Sequence, residues 1–383
     1  MKKIIIHYSK FNIGGAERSN LRLMKLLCEK GWDVTLLLNY DRGNMEDSVP
    51  EQVKIVHLAQ YSYTAEISNE RNRLKKLIKM AVYAFPLFLQ KIKRRKLLKE
   101  LSKIQYDLAV IGLQGLSPEI VVHCIKAKRR LLWIRNDLLH CDPNKKVENN
   151  IRKYGDSIDY FPCVSGTSYE SFCKIFPEFK EKARIFYNVI NAEEMRQKKN
   201  DPCDIEGKYL DAFRVITVCR VNEKAKGVFR MLRVYKRLRS EGVFFYWIIV
   251  GDGEDYESLK RKVEEENLSD GFILIGRREN PFPYYNYCNL SATLSYYEGL
   301  CGTVNEAKIS GLPVLATEFS GIHEQLEHGI NGWIVENNEE AIYQGLKCLI
   351  DNPVVINKIT NDILPESIVN DDYKENLLLE FLK

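Results

Sequence analysis

Residues 298–311 read EGLCGTVNEAKISG, and residues 312–316 continue as LPVLA, an apolar run suited to a buried strand. Two glutamates, Glu298 and Glu306, stand eight positions apart across a glycine-studded bend. In one continuous helix their carboxylates would lie about 80° apart around the axis. The glycines favour another division. Gly299 and Gly302 suit a loop, a short helix runs from about Thr303 to Ser310, and Gly311 stops it. Glu298 then sits on the loop and Glu306 about one turn into the helix. Between them lies a helix N-terminus with free N–H groups, which is an anion site.

Outward from this stretch, strands are expected at 214–219, 244–250, 272–275, 290–295, 313–316 and 332–335, with helical segments between them. Val228, Met231, Leu232, Tyr235 and Leu238 mark the buried face of one helix. The first forty residues read as a βαβ unit: strand 3–7, helix 16–30 stopped by Gly31, strand 34–38. Short apolar runs at 108–111, 131–134, 161–164 and 184–186 extend the alternation. It fades over 191–211, a polar segment with Pro202 and Gly207, where the domain junction is placed. The fold class is α/β: two Rossmann-like, doubly wound domains, 1–195 and 205–365, facing each other across a cleft, with 366–383 as a helical tail.

Composition is that of a globular chain: 383 residues, 45% apolar and 28% charged. Ten cysteines form no CxxC pair and no Cys/His metal spacing, so they read as reduced packing thiols of a cytoplasmic protein. The short run Ile4-Ile5-Ile6 is no signal peptide, and no stretch approaches the length of a spanning helix. The net charge of +5 is unevenly spread. Residues 71–103, RNRLKKLIKMAVYAFPLFLQKIKRRKLLKELSK, hold twelve Lys or Arg and a single acid, Glu100. Two readings stand for this basic insertion. It lies on an anionic membrane surface, or it forms two surface helices joined at Pro86 with the apolar run packed on the core. Aromatics interleaved with the charges are too sparse for a nucleic-acid surface.

In open α/β sheets, ligands bind beyond the carboxyl ends of the strands. After the first strand comes NIGGAER, where Gly14 and Gly15 open a helix. It is not GxGxxG, and Asn39 rather than a carboxylate ends the second strand, so a dinucleotide site is disfavoured. RVNEKAKG follows Cys219, with Arg220 and Lys226 bracketing a loop before Gly227. Two cations and a helix start make a diphosphate clamp. GDGED at 251–255 and GRRENPFPYY at 276–285 follow the next two strands, and the opening stretch follows the fourth. Five ligand-capable loops after five strands carry more weight than any one alone.

These residues together resemble glycosyltransferase family 4, the retaining nucleotide-sugar transferases of the GT-B fold. The resemblance rests on Arg220 with Lys226-Gly227, Gly251-Asp252-Gly253, Gly276 with Asn280-Pro281, and Glu298 to Glu306 (the E-x7-E signature) followed by Ala307, Gly311 and Pro313-Val314. Gly14-Gly15-Ala16-Glu17, WIRND at 133–137, Val164-Ser165 and Asn188 agree more loosely. The branch resembled builds bacterial capsule, O-antigen and related surface polysaccharides. The resemblance implies that Glu306 holds ribose hydroxyls, Glu298 contacts the donor sugar, and Arg220 and Lys226 neutralise the departing diphosphate. Backbone groups of Gly299, Leu300, Cys301, Gly302, Thr303 and Val304 would hold sugar and phosphate. Gly251, Gly253 and Arg277 would complete the donor side, and Gly14 and Gly15 would approach the phosphates. Arg135, where the family usually has His, is carried over as a catalytic-site residue, with Asn136, Asp137 and His140 on the acceptor side. The implied activity is metal-independent hexosyl transfer from a nucleotide-sugar, UDP-linked before GDP-linked, to a lipid-linked saccharide at the inner face of the cytoplasmic membrane. No cofactor is implied. A non-catalytic nucleotide-sugar-binding subunit is the alternative.

Overall fold

A computed structural model describes all residues except 13, 41–42, 60–62, 69, 71, 142–144 and 360–363; for 64–65, 140–141 and 353 the side chains are left aside. The chain divides into two units. One comprises Met1–Val164, Ser168–Ile190 and Asn370–Lys383, the other Ser165–Thr167 and Asn191–Val369.

The first unit is built on β1 (Lys3–Tyr8), β2 (Asp33–Leu38), β3 (Lys54–His57), β4 (Gln105–Ile111) and β5 (Lys126–Leu132), all parallel, in the order β3-β2-β1-β4-β5. A parallel sheet covered on both faces selects continuous apolar runs. Thus Ile4, Ile5 and Ile6 of β1 and Leu36, Leu37 and Leu38 of β2 are fully buried. β6 (Phe161–Cys163) and β7 (Ala183–Ile185) form a parallel pair that continues the sheet through single bridges from Leu131 to Tyr160 and Ile134 to Cys163. Sequence reading missed β3. Its KIVH segment carries only two aliphatic residues at the sheet edge, too short a signal to register.

The 366–383 segment is helical and is divided between the units, 366–369 going to the second. Its helix Asp371–Glu380 belongs to the first unit. Asp371 accepts from the Ile190 amide at 3.2 Å, Lys30 pairs with Asp372 at 2.8 Å, and the Phe381 ring lies 4.7 Å from Tyr160.

The 71–103 segment departs from the second of its two readings. It is one helix, Arg73–Leu101, that runs through Pro86, and only Leu101 is buried. A mid-helix proline removes one i→i−4 bond. Val82, whose carbonyl loses its donor there, is 62% exposed, so the lost bond falls on the solvent side of the helix. The apolar run is therefore not packed on the core. No helix among the described residues is long and apolar enough to cross a membrane.

The second unit carries β8 (Phe213–Val218), β9 (Phe245–Val250), β10 (Phe272–Gly276), β11 (Leu290–Thr293), β12 (Val314–Thr317) and β13 (Trp333–Val335). All pairs are parallel, in the order β10-β9-β8-β11-β12-β13. This is the doubly wound dinucleotide-fold order, whose ligand crevice opens where the winding reverses. Here that point lies between β8 and β11. Every residue of β9, FYWIIV, is buried, and Val228, Met231, Tyr235 and Leu238 of the helix Val228–Ser240 pack with Phe245 and Trp247 of β9 in one core. All six strands expected in this half are present, with ends shifted by one or two residues.

Candidate functional site

The two segments leaving β8 and β11 carry the principal charged groups. After β8, Asn222 accepts from the Ala225 amide at 2.8 Å and caps a one-turn helix, Glu223–Lys226. Lys226 therefore ends a short helix instead of lying in an open loop. Gly227 follows with φ +65°, a left-handed turn into the helix Val228–Ser240. After β11, the Tyr296 amide donates to the Ala225 carbonyl at 2.8 Å, which ties the two segments together.

In that frame the Lys226 ammonium meets the Glu298 carboxylate, which also accepts from the Ser295 hydroxyl at 2.7 Å. The two side chains are 22% and 16% exposed. Burial works against the lysine charge, but Glu298 outweighs it, so Lys226 is held well above the ordinary lysine range. The cation persists throughout the neutral range. Arg220 is exposed, and its guanidinium has no ion pair among the described residues.

The helix of the opening stretch spans Gly302–Ile309, one residue earlier than the reading, and Cys301 at its N-cap supplies no side-chain bond. Its first N–H groups thus remain available to an anion. Glu306, 5% exposed, lies in the second turn. Thr303 and Val304 lie in its first turn; Leu300 is buried and Gly302 exposed. Burial, then Glu298, pushes the Cys301 thiol up to about 12; burial raises Cys219 to about 11. Both thiols stay neutral and are poor nucleophiles.

Three groups hold this site, and sequence reading did not single them out. Gln325 accepts from the Cys301 amide at 3.1 Å and donates to the Cys301 carbonyl at 2.8 Å, which clamps the residue before the helix. Asn337 donates to the carbonyls of Ser295, Tyr296 and Glu318 at 3.2, 3.0 and 2.9 Å. Buried Arg230 donates to Asn337 Oδ1 at 2.8 Å and lies 3.9 Å over the Tyr296 ring. Gln325 and Asn337 come from remote loops, so no local pattern marks them.

Gly251 and Gly253 serve a close backbone approach. At Gly251, φ is +150° and an added Cβ would fall 1.8 Å from the Cys219 carbonyl oxygen; at Gly253 it would fall 2.3 Å from that of Val221. The Cys219 and Val221 amides bond to Val250 and Asp252, so the GDG turn braces the segment that carries Arg220. Gly251→Ala is expected to destabilise this unit by about 3 kcal/mol. Urea unfolding checks it, and a loss below about 1 kcal/mol would show that the turn yields freely. Arg277 is exposed, whereas its neighbour Arg278 is occupied by Asp204 at 2.5 Å and Tyr284 at 2.7 Å.

In the first unit, several loosely matching residues converge. Arg135 is 7% exposed and lies 4.3 Å over the Trp133 ring. It donates to Asn188 Oδ1 at 2.6 Å, to Ser19 Oγ at 3.4 Å and to the Gly112 carbonyl at 3.4 Å, while its amide donates to Gln114 at 3.0 Å. Its Nη2 has no protein partner among the described residues. Burial lowers its proton affinity, and Tyr8 and Glu17 oppose that. Gly14 precedes the helix Gly15–Glu29 in extended conformation, with no side-chain cap. Asn136 is exposed. Asp137 is buried and accepts from the Leu139 amide at 3.0 Å, a local cap. His140 lies in the short helix Leu138–Cys141, and its side chain is outside the described residues. Among the described residues, no group of three or more His, Cys, Asp or Glu is placed to hold a metal ion.

Residues 203–363 match the family described as Glycosyl transferases group 1. An uncharacterized glycosyltransferase of Methanocaldococcus jannaschii is 28% identical over 295 residues, 72% of this chain and 71% of its own. The N-acetylgalactosamine-N,N'-diacetylbacillosaminyl-diphospho-undecaprenol 4-alpha-N-acetylgalactosaminyltransferase of Campylobacter jejuni is 25% identical over 364 residues, 92% of this chain and 91% of its own. The crystal structure of HepE from Anabaena in complex with UDP superposes with a TM-score of 0.75 over 100% of this chain and 99% of that one, at 15% identity. Residues 203–363 thus resemble the glycosyl transferases group 1 family, and the chain is a glycosyltransferase of the GT-B fold.

Proposed function

We propose that the chain is a retaining, metal-independent hexosyltransferase of family 4, which moves a hexose from a UDP-sugar to a lipid-linked saccharide in surface polysaccharide synthesis. The acceptor would be met at an anionic membrane surface reached through residues 71–103, on the inner face of the cytoplasmic membrane. One observation carries the donor half: the Lys226–Glu298 pair stands where the sheet winding reverses, and Glu306 lies in the second turn of the uncapped helix that follows. The UDP in the Anabaena complex supports the choice of base, and the diphospho-undecaprenol in the Campylobacter enzyme's name supports a lipid-linked acceptor.

The residues divide the work by charge. Glu306 takes ribose hydroxyls, and the N–H groups at the start of the Gly302–Ile309 helix take phosphate oxygens. Lys226 and exposed Arg220 meet the negative charge that grows on the departing diphosphate. Glu298 accepts from hydroxyls of the donor sugar and holds the Lys226 ammonium in place. The acceptor hydroxyl attacks the anomeric carbon on the face the diphosphate leaves, the glycosidic C–O bond to phosphate breaks, and the acceptor proton passes to a phosphate oxygen. The alternative, binding without turnover, draws on Arg135, whose guanidinium is spent largely on Asn188, Ser19 and Gly112.

Calorimetric titration with UDP, GDP, ADP and NAD tests the reading. UDP alone is expected to bind tightly, and Glu306→Ala is expected to raise its Kd by about 10–100-fold, the worth of one charge-assisted bond. Binding of no nucleotide, or binding indifferent to Glu306, would sink it. UDP binding without transfer to any acceptor would favour the non-catalytic alternative.

A further inference from the structure

The helix Arg73–Leu101 leaves a long apolar face without a partner. Leu74, Leu77, Ile78, Phe85, Phe88 and Ile92 are between 49% and 69% exposed. At helical spacing these six fall within an arc of about 100°, and from residue 74 to 92 that arc runs for about 27 Å. No polar residue interrupts it; its only other position in that span is Ala81. The opposite side holds the helix to the unit. Leu97, Leu98 and Leu101 pack on the core, Tyr83 lies 4.9 Å from Tyr63, and Lys79 pairs with Glu70 at 3.0 Å. The fold therefore does not use the exposed face.

The charges around the stripe identify what covers it. Lys75 and Lys93 lie about 100° to one side of its centre, and Arg73 and Lys91 about 100° to the other. Beyond Ile92 the same arc continues as Arg95, Lys96 and Lys99, all exposed. We propose that this helix lies flat in the interface of an anionic bilayer, its Leu74–Ile92 face below the headgroups and its flanking and terminal cations at the level of the lipid phosphates. This deepens the reading above by placing the seat of the membrane contact on one helix face, and rests on it for the identity of the acceptor alone. A second copy of the chain is a poorer occupant. Antiparallel pairing of two such faces would bring cation rows together, and Glu100 is the only acid within the helix. Lysines at 75, 76 and 79 lie on the helix's other faces, which bars a spanning orientation and suits an interfacial one.

Co-sedimentation of the full chain with vesicles tests this, using phosphatidylcholine alone and phosphatidylcholine mixed with phosphatidylglycerol. Binding is expected on the mixed vesicles, with a partition coefficient that falls about fivefold per engaged cation removed at low salt. The triple variant Leu77→Ser, Phe85→Ser, Phe88→Ser should lose binding while it keeps its thermal midpoint, because those side chains are already exposed. The variant Arg95→Glu, Lys96→Glu, Lys99→Glu should lose the preference for phosphatidylglycerol. Failure of the wild type to sediment with mixed vesicles, or unchanged binding by the serine variant, would overturn the proposal. So would a concentration-dependent dimer that the serine variant abolishes in the absence of vesicle binding. UDP titration on the same preparations reports separately on the donor site. Its loss in every preparation, with vesicle binding intact, would count against the enzymatic reading and not against the helix.

Discussion

Lys226→Met is expected to lower the rate of sugar transfer at saturating donor by about 10²–10³-fold. The expectation follows from where charge develops. As the glycosidic bond breaks, the diphosphate gains negative charge, and a fixed, partly buried cation stabilises it more than water does. Methionine keeps the aliphatic stem and removes the ammonium. It also leaves Glu298 with Ser295 as its remaining hydrogen-bond partner of those found in the wild type, so an uncompensated carboxylate would face the leaving group. Breaking a buried pair from one side costs about 3–5 kcal/mol, and the 16–22% exposure of these two side chains reduces that cost. A thermal melt beside the rate measurement separates lost stability from lost catalysis. A folded variant whose rate stays within about threefold of the wild type would remove Lys226 from the chemistry.

Glu298→Gln tests the same pair from the other side, and its signature is a pH profile. In the wild type, burial disfavours the Lys226 charge and Glu298 outweighs burial, so the lysine is held above its ordinary value. A group raised in this way contributes stability below its unfolded value of about 10.4, and loses it only as pH rises through the folded value. The pair is therefore intact across neutral and moderately alkaline pH. Glutamine removes the carboxylate that raised the lysine and leaves burial, which lowers it. The alkaline limb of the rate profile is then expected to move to lower pH, on top of a loss of about 10²-fold at neutral pH. UDP affinity should change little, because Glu298 is assigned to the sugar and Glu306 to the nucleoside. An unmoved alkaline limb would show that Lys226 does not depend on Glu298. A large loss of UDP affinity would reverse the two glutamate roles.

Much of the second unit was legible in the chain itself. Strands such as FYWIIV are apolar throughout because a parallel sheet is buried on both faces, and the helices between them carry their own periodicity. The opening stretch was readable because glycine at 299, 302 and 311 punctuates it and an uncapped helix start follows. Less was legible where the signal is shared among distant residues. Gln325 clamps Cys301 from 24 residues away, and Asn337 ties three carbonyls from 19 to 42 residues away. Arg135 stood out only by comparison with a family pattern, and its actual partners, Ser19, Gly112 and Asn188, are spread over the whole first unit.

The sequence by itself determined the alternation of strands and helices and the loops in which cations, carboxylates and glycines lie, because hydrophobic period and turn chemistry act over a few residues. Tertiary structure alone decided which of those loops meet. The β10-β9-β8-β11-β12-β13 order sets β8 beside β11 and so brings Lys226 to Glu298 across 72 positions of chain. It also decided that 73–101 is one helix with its apolar face outward, since periodicity marks a face but not what covers it.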